Sequence, residues 1–275
     1  MSALGIRTIL VGTDLEGALI PALRSAARLA ELTDAQLHVV HTTEQAVPEA
    51  RLDEHLRAAG IESNARVEGR ILVGPPGALI TEEAARLRAD VIVLGPHRPQ
   101  WTKLGSTAYR VVYGAQVPCL MLPVPLTLPL RNVLVPLDIS QPARGPLAVG
   151  ITWASALRHR DRNTGTRVTT LHVADVANQD TAVRLENEVD RVRRRFVEST
   201  GVTIDDVVEA GAPGEIILRR AVQDAVDLIV MATRGQQPRD AALGSVSLEV
   251  VMKSERPVLL VPPNVWRNNG ENGVE

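Results

Sequence analysis

The residues best suited to grip a phosphate stand in "MATRGQQPRDAALGSVS", residues 231–247. The stretch leaves an apolar run, crosses a polar loop and enters a helix-forming segment at Gly244-Ser245. Glycines such as Gly235 and Gly244 let an anion approach the backbone. The first amides of a helix lack internal partners and carry the positive end of its dipole, so they suit an anion. Ser245 or Ser247 can cap that helix or donate to a phosphate oxygen. Taken alone, Gly-Ser before a helix reads as a cap and nothing more. A second stretch of the same outline, "LGPHRPQWTKLGSTA" at residues 94–108, is what makes the signal worth following.

Other chemistries find less support. The six histidines, His38, His41, His55, His97, His159 and His172, form no short-spaced cluster with cysteine and no helical pair, so no metal site is expected. His41 and His172 read as hydrogen-bonding residues at loop edges. There is no G-x-S-x-G elbow, no glycine-rich loop ending in Gly-Lys-Ser/Thr and no G-x-G-x-x-G after the first strand. The first strand turns, "VGTDLEG" and "VPLDISQ", lack the glycine and lysine of Walker-type hydrolysis. No catalytic residue is assigned. The one cysteine, Cys119 in "VPCLMLP", reads as a buried small hydrophobe. A net charge of -2 gives no basic excess for nucleic acid. The arginines of "DRVRRRFVES", residues 191 and 193–195, spread round a helix with Glu186, Glu188 and Glu198 to offset them. No apolar run is long enough for a membrane span, and no signal peptide is expected. With a single cysteine, the expected compartment is the cytoplasm.

The elements that must position these residues occur twice. "IRTILVGTD" is echoed by "LRNVLVPLD", which sets Asp14 against Asp138 at an offset of 124. "DAQLHVVHT" and "RVTTLHVAD" set His41 against His172 at 131, and "VGPPGALI" and "AGAPGEII" set Gly74 against Gly211 at 137. Asp90 and Asp227 follow at 137, Gly105 and Gly244 at 139, and Pro118 and Pro257 at 139. The offset never decreases along the chain. A duplicated domain with a few loop insertions in its second copy produces that series, and chance matches would scatter. The copies are expected at 1–125 and 130–265, joined by the proline-bearing linker 124–130 and followed by a polar, flexible tail at 266–275.

Within the first copy, strands are expected near 7–13, 36–42, 66–73, 90–95 and 119–123, and helices near 17–32, 45–59, 77–88 and 105–116. Such alternation implies βαβ units and a parallel sheet covered on both faces. The expected fold is two tandem α/β domains, each a doubly wound, Rossmann-like five-stranded parallel sheet flanked by helices. Ligands in such sheets bind outside the carboxyl ends of the strands, where strand order reverses. The repeated polar residues gather at that edge.

"VMATRG" followed by "LGSVSLEVVMKSERPVLLVP" resembles the end of a universal stress protein domain, and the resemblance runs over nearly the whole chain, twice. The ATP-binding members of that family carry glycine, two residues, glycine, nine residues, then glycine with Ser or Thr. In the second copy the first glycine is Ala232, the second is Gly235, and eight residues rather than nine precede Gly244-Ser245. In the first copy Gly95 is kept, Arg98 replaces the second glycine, and six residues precede Gly105-Ser106. The second loop is thus the better preserved and the first the degenerate one.

The resemblance implies that Asp138 and Val173 face adenine and ribose, and that Ala232, Gly235, Gly244, Ser245, Val246 and Ser247 surround ribose and phosphates. The matching first-copy residues are Asp14, Thr42, Gly95, Gly105, Ser106 and Thr107. His97, Lys103, Arg234 and Arg239 add nearby charge. It further implies a non-catalytic regulatory protein of the stress response that responds to adenine nucleotide. ATP is favoured in the second domain, with magnesium only as its companion. The alternatives are a nucleotide-free scaffold or interaction protein with decayed sites, and a slow ATPase. Expected partners are adenine nucleotide and a protein, without nucleic acid or membrane. The resemblance also implies that the copies pair through their last strands as an internal pseudo-dimer, and a homodimer beyond it is the further expectation.

Overall fold

A computed structural model of the chain describes residues 6–62, 66–95, 106–138, 144–158, 165–174, 179–196, 201–233, 243–263 and 265. The chain forms two compact units, Met1–Leu126 and Thr127–Glu275.

In the first unit the order is β1 (Thr8–Thr13), α1 (Ile20–Thr33), β2 (Gln36–Thr43), α2 (Glu49–Ala58), β3 (Val67–Val73), α3 (Pro76–Leu87), β4 (Val91–Leu94), α4 (Ser106–Gly114) and β5 (Cys119–Met121). The strands lie side by side as β3-β2-β1-β4-β5, with every pair parallel. The second unit follows the same plan. It contains β6 (Asn132–Pro136), α5 (Arg144–Ala156), β7 (Thr166–Ala174), α6 (Gln179–Phe196), β8 (Val202–Ala210), α7 (Pro213–Gln223), β9 (Leu228–Ala232), α8 (Ser245–Lys253) and β10 (Val258–Val261). Its strands lie as β10-β9-β6-β7-β8, again all parallel. Each is the expected doubly wound sheet. Strand order reverses between β1 and β4 in one unit and between β6 and β9 in the other.

The central strands carry no inside–outside alternation, because helices cover both faces. Ile9, Leu10 and Val11 of β1 are all fully buried, as are Leu134 and Val135 of β6 and Leu228, Ile229 and Val230 of β9. On α6, Leu185, Val189 and Val192 form the buried stripe, and Arg194 is exposed on the other side. The first helix begins later than its apolar pattern suggests. Residues Gly17–Leu19 form a 3-10 turn, and α1 starts only at Ile20 with a proline in its first turn. Proline costs nothing there, since the amide it lacks would have no helical partner.

The repeated residues outside the loops have structural work in both units. Asp90 precedes β4, and its carboxylate accepts the amides of Arg7 at 2.7 Å and Thr8 at 2.9 Å. Asp227 does the same before β9, with the amides of Arg131 at 2.7 Å and Asn132 at 2.9 Å. These carboxylates pin the amino ends of β1 and β6, at the edge of the sheet opposite its carboxyl strand ends. Gly74 and Gly211 sit at φ of 140° and 137°, where a side chain would be strained. Gly77 and Gly214 let neighbouring helices touch. A methyl at Gly77 would lie 2.5 Å from Cβ of Arg110 on α4, and one at Gly214 would overlap the Glu249 carboxylate on α8.

Ion pairs tie the third strand of each unit to the following helix, with the charges exchanged. Glu83 on α3 is 5% exposed and accepts from Arg70 of β3 and Arg86 at 2.7 Å each. In the second unit Glu209 on β8 takes the acidic role against Arg219 and Arg220 of α7. Cys119 is buried in β5, and burial pushes its thiol up to about 12.

Candidate functional site

The carboxyl ends of β6 and β9 are neighbours in the second sheet, and the start of α8 is fastened to the second of them. The Gly244 amide donates to the Thr233 carbonyl at 2.8 Å, and Ser247 Oγ donates to the Ala232 carbonyl at 2.9 Å. Thr233 is itself held by its amide to the Val261 carbonyl at 3.0 Å. Ser247 is thus turned back to the strand and does not cap the helix. Gly244 is the N-cap residue at φ -65° and ψ 157°, and among the described residues no side chain caps α8. Its first amides present the positive end of the helix dipole, and among the described residues no side-chain acceptor competes for them. Ser245 is exposed, Val246 half-buried and Gly244 buried.

On the other side of the switch point, Asp138 follows β6 and is exposed, and Val173 lies half-buried near the end of β7. His172 joins these strand ends: its Nδ1 donates to the Leu137 carbonyl at 2.9 Å. The bond fixes the tautomer, because a carbonyl can only accept. Of the expected second-copy residues, Asp138, Val173, Ala232, Gly244, Ser245, Val246 and Ser247 are at the carboxyl edge of one sheet or in the first turn of α8. Gly235 lies outside the described residues, as do Arg234 and Arg239.

The first unit repeats the strand-end arrangement and adds to it. His41 Nδ1 donates to the Thr13 carbonyl at 2.9 Å, the counterpart of the His172 bond. Both histidines sit within their strands, not in the loops beyond, and His41 is buried. Asp14 closes a turn on itself, with its Oδ1 accepting the Glu16 amide at 2.9 Å. Thr42 is half-buried at the end of β2, and Thr107 half-buried in the first turn of α4, which Ser106 begins. Gly105, His97, Arg98 and Lys103 fall outside the described residues.

Gly95, the glycine kept in the first copy, has a packing reason of its own. A methyl there would lie 2.6 Å from Leu19 Cδ2 and 2.7 Å from Ala22 Cβ, so the end of β4 and the start of α1 need its absence. The glycine at this position is explained without a ligand, which lowers its weight as a binding signal.

One group at this edge is not legible in the sequence as a functional residue. His55, on the buried face of α2 with Leu52 and Leu56, reaches Thr13 through a 3.1 Å bond between its Nε2 and Thr13 Oγ1. The only sequence signal is its place in the apolar stripe of that helix. Burial makes His55 harder to protonate; the nearby Asp14 carboxylate works the other way, and His41 adds to the depression. Among the described residues, no group of three or more His, Cys, Asp or Glu could hold a metal ion. No described helix is long and apolar enough to cross a membrane.

Comparison with known proteins gives this fold a family. The model of the universal stress protein family matches residues 5–123 and again residues 129–262. The chain is 32% identical over 77 residues to a universal stress protein of Methanocaldococcus jannaschii, a stretch of 28% of this chain and 47% of that protein. It is 42% identical over 80 residues to a universal stress protein of Thermus aquaticus, covering 28% of this chain and 58% of the relative. The chain thus spans about half the length of the curated relatives it matches. A universal stress protein from Archaeoglobus fulgidus shares the fold with a TM-score of 0.69 at 20% identity, over 94% of this chain and 98% of that one. With two family matches that together take in most of its residues, the chain belongs to the universal stress protein family and carries two domains of it in tandem.

Proposed function

We propose that the protein is a non-catalytic regulatory protein that binds adenine nucleotide at the second unit, with ATP as the nucleotide and magnesium only as its companion. The observation that carries this reading is the start of α8. A helix N-terminus whose N-cap residue is a glycine, with no side-chain cap among the described residues, opens at the strand-order reversal of its sheet, with Gly244 and the exposed Ser245 at its mouth. Such a terminus attracts phosphate through backbone amides and the helix dipole. Asp138 and Val173 stand at the neighbouring strand ends, where a ribose and base would extend. Binding would alter the surface offered to a protein partner. The setting is a stress response in the cytoplasm.

Calorimetric titration of ATP into chain refolded free of nucleotide tests the reading. One site per chain is expected, and the absence of binding heat together with unchanged thermal stability overturns it.

A nucleotide-free interaction protein is the second reading, and a specific observation favours it for the first unit. There Gly95 is accounted for by packing against Leu19 and Ala22. Chromatography of the supernatant after heat denaturation separates the two readings, since only a nucleotide binder releases adenine nucleotide. Association through edge strands belongs to the same proposal. β5 and β10 are the last strands of their units in chain order, and strand edges carry backbone groups that can pair. A homodimer is expected in light scattering; a strict monomer rules it out.

A further inference from the structure

Among the described residues, the first unit contains a hydrogen-bonded cluster at the switch point that the second does not repeat. Thr13 is the last residue of β1, and its hydroxyl is a hub. Thr13 Oγ1 accepts the Leu15 amide at 3.2 Å and is bonded to His55 Nε2 at 3.1 Å. Leu15 stands at φ 64°, a left-handed conformation that a leucine adopts only when its surroundings impose it. The next bond, from the Glu16 amide to Asp14 Oδ1, completes the turn. In the second unit Leu137 occupies the position of Thr13, at the same offset of 124 that relates Asp14 to Asp138. The histidine bond to the strand-end carbonyl is retained there by His172, and the hydroxyl hub is not.

We propose that His55 is a proton-operated latch on the turn between β1 and α1, so that acid releases the segment carrying Asp14 in the first unit and leaves the second unit unaffected. A threonine hydroxyl has one proton to give and two lone pairs to accept with. One lone pair is taken by Leu15. In the neutral tautomer that carries its proton on Nδ1, His55 accepts the Thr13 proton at Nε2 and both bonds are satisfied together. Once Nε2 is protonated it must donate. Thr13 Oγ1 then has to accept from two N–H groups, and its own proton has to find another acceptor inside a buried environment. The Leu15 anchor weakens, and with it the support for the left-handed residue.

The charged surroundings decide where this happens. From the β1–α1 turn Asp14 favours the imidazolium, from β2 His41 opposes it, and burial of the ring opposes it more than either acts. Arg24 of α1 is engaged with the carbonyls of Ala58 and Ala59 at the end of α2. On β3, Glu68 faces His38 and Arg70 is paired with Glu83. Protonation is therefore placed below the ordinary imidazole value of 6.5. The consequence for ligand binding rests on the reading of Asp14 as a ligand-facing residue.

Nuclear magnetic resonance of the full chain without nucleotide, titrated through the mildly acidic range, tests the latch. The amide signals of Leu15 and Glu16 are expected to move with the midpoint of the His55 ring, while the Asp138 amide shows no such transition. Thr13→Val keeps the shape and removes the hydroxyl. In that variant the His55 ring still titrates and the coupled movement of the two amides is lost. His55→Gln removes the transition altogether; if that variant fails to fold, Thr13→Val alone decides the matter. Movement of Leu15 and Glu16 that persists unchanged in either variant belongs to Asp14 or His41 and overturns the proposal. Because no nucleotide is present, a chain that binds no ATP at any pH refutes the nucleotide reading without touching this one.

Discussion

Replacing Gly95 by alanine separates packing from ligand approach as the reason for a glycine at the end of β4. The added methyl would lie 2.6 Å from Leu19 Cδ2 and 2.7 Å from Ala22 Cβ. Ordinary carbon–carbon contacts sit near 3.5–4.0 Å, so each must open by about 1 Å. Leu19 is the end of a flexible side chain, but it is itself buried at 6% exposure. Ala22 has no rotamer to change, and relief there requires the first turn of α1 to shift against the sheet. Overpacking of this kind costs about 1–3 kcal/mol, and the rigid Ala22 contact argues for the upper half of that range. The backbone adds no further penalty, since Gly95 is not among the positive-φ glycines. Equilibrium urea unfolding followed by far-ultraviolet circular dichroism is the assay, with the m value checked against the parent before midpoints are converted to free energies. The loss should appear in the transition of the first unit. Ala232→Gly, the reverse change in the second unit, should cost only about 0.5–1 kcal/mol, through backbone entropy. A Gly95→Ala chain within about 0.5 kcal/mol of the parent would refute the packing argument, because surface-like substitutions fall in that range.

Three further outcomes follow from the same contacts. Asp90→Ala and Asp227→Ala should each destabilise their own unit by about 1–2 kcal/mol, since each removes a carboxylate that accepts two backbone amides; urea unfolding reads both, and equal losses are expected. The arginines that donate to Glu83 hold its carboxyl below the ordinary value of 4.5, with Arg86 first and Arg70 next. Its folded value lies beneath its unfolded one, so the stabilisation is present above pH 4.5 and is lost as pH falls through the folded value; Glu83→Gln should flatten that acid limb in thermal melts. His55 has the same sense from a different cause: burial depresses its imidazole and makes the folded state bind fewer protons, so stability is full above 6.5 and declines as pH falls below it, a slope that His55→Gln should remove.

The repeat makes most of the fold legible in the sequence. A rising series of offsets requires a duplicated unit, and short apolar runs alternating with helical patterns require parallel sheets. What the chain order does not carry is contact across long separations. Thr13 and His55 are 42 residues apart, and nothing in "VGTD" or "DEHLRAAG" announces that they meet. His55 falls in an apolar stripe, so its periodicity speaks of burial and not of its partner. Asp90 and Asp227 are visible as a matched pair, but a carboxylate before a strand has no local target; its amides lie some eighty to a hundred residues away. Gly95 shows the converse difficulty. It sits where a phosphate-binding glycine belongs, and only the position of α1 shows that packing already requires it.

The central claim concerns the start of α8, and Gly244→Asp tests it most directly. Gly244 has an extended backbone at φ -65° and ψ 157°, which any residue adopts. Aspartate is also among the preferred helix N-caps, so the fold is favoured while a carboxylate takes the place where a phosphate would bind. The measurement is ATP binding by calorimetry to the parent and to Gly244→Asp, each refolded free of nucleotide and matched in circular dichroism. The account predicts one site per chain in the parent and its loss in the variant. A parent that binds no ATP, or a variant that binds it as tightly as the parent, would contradict it.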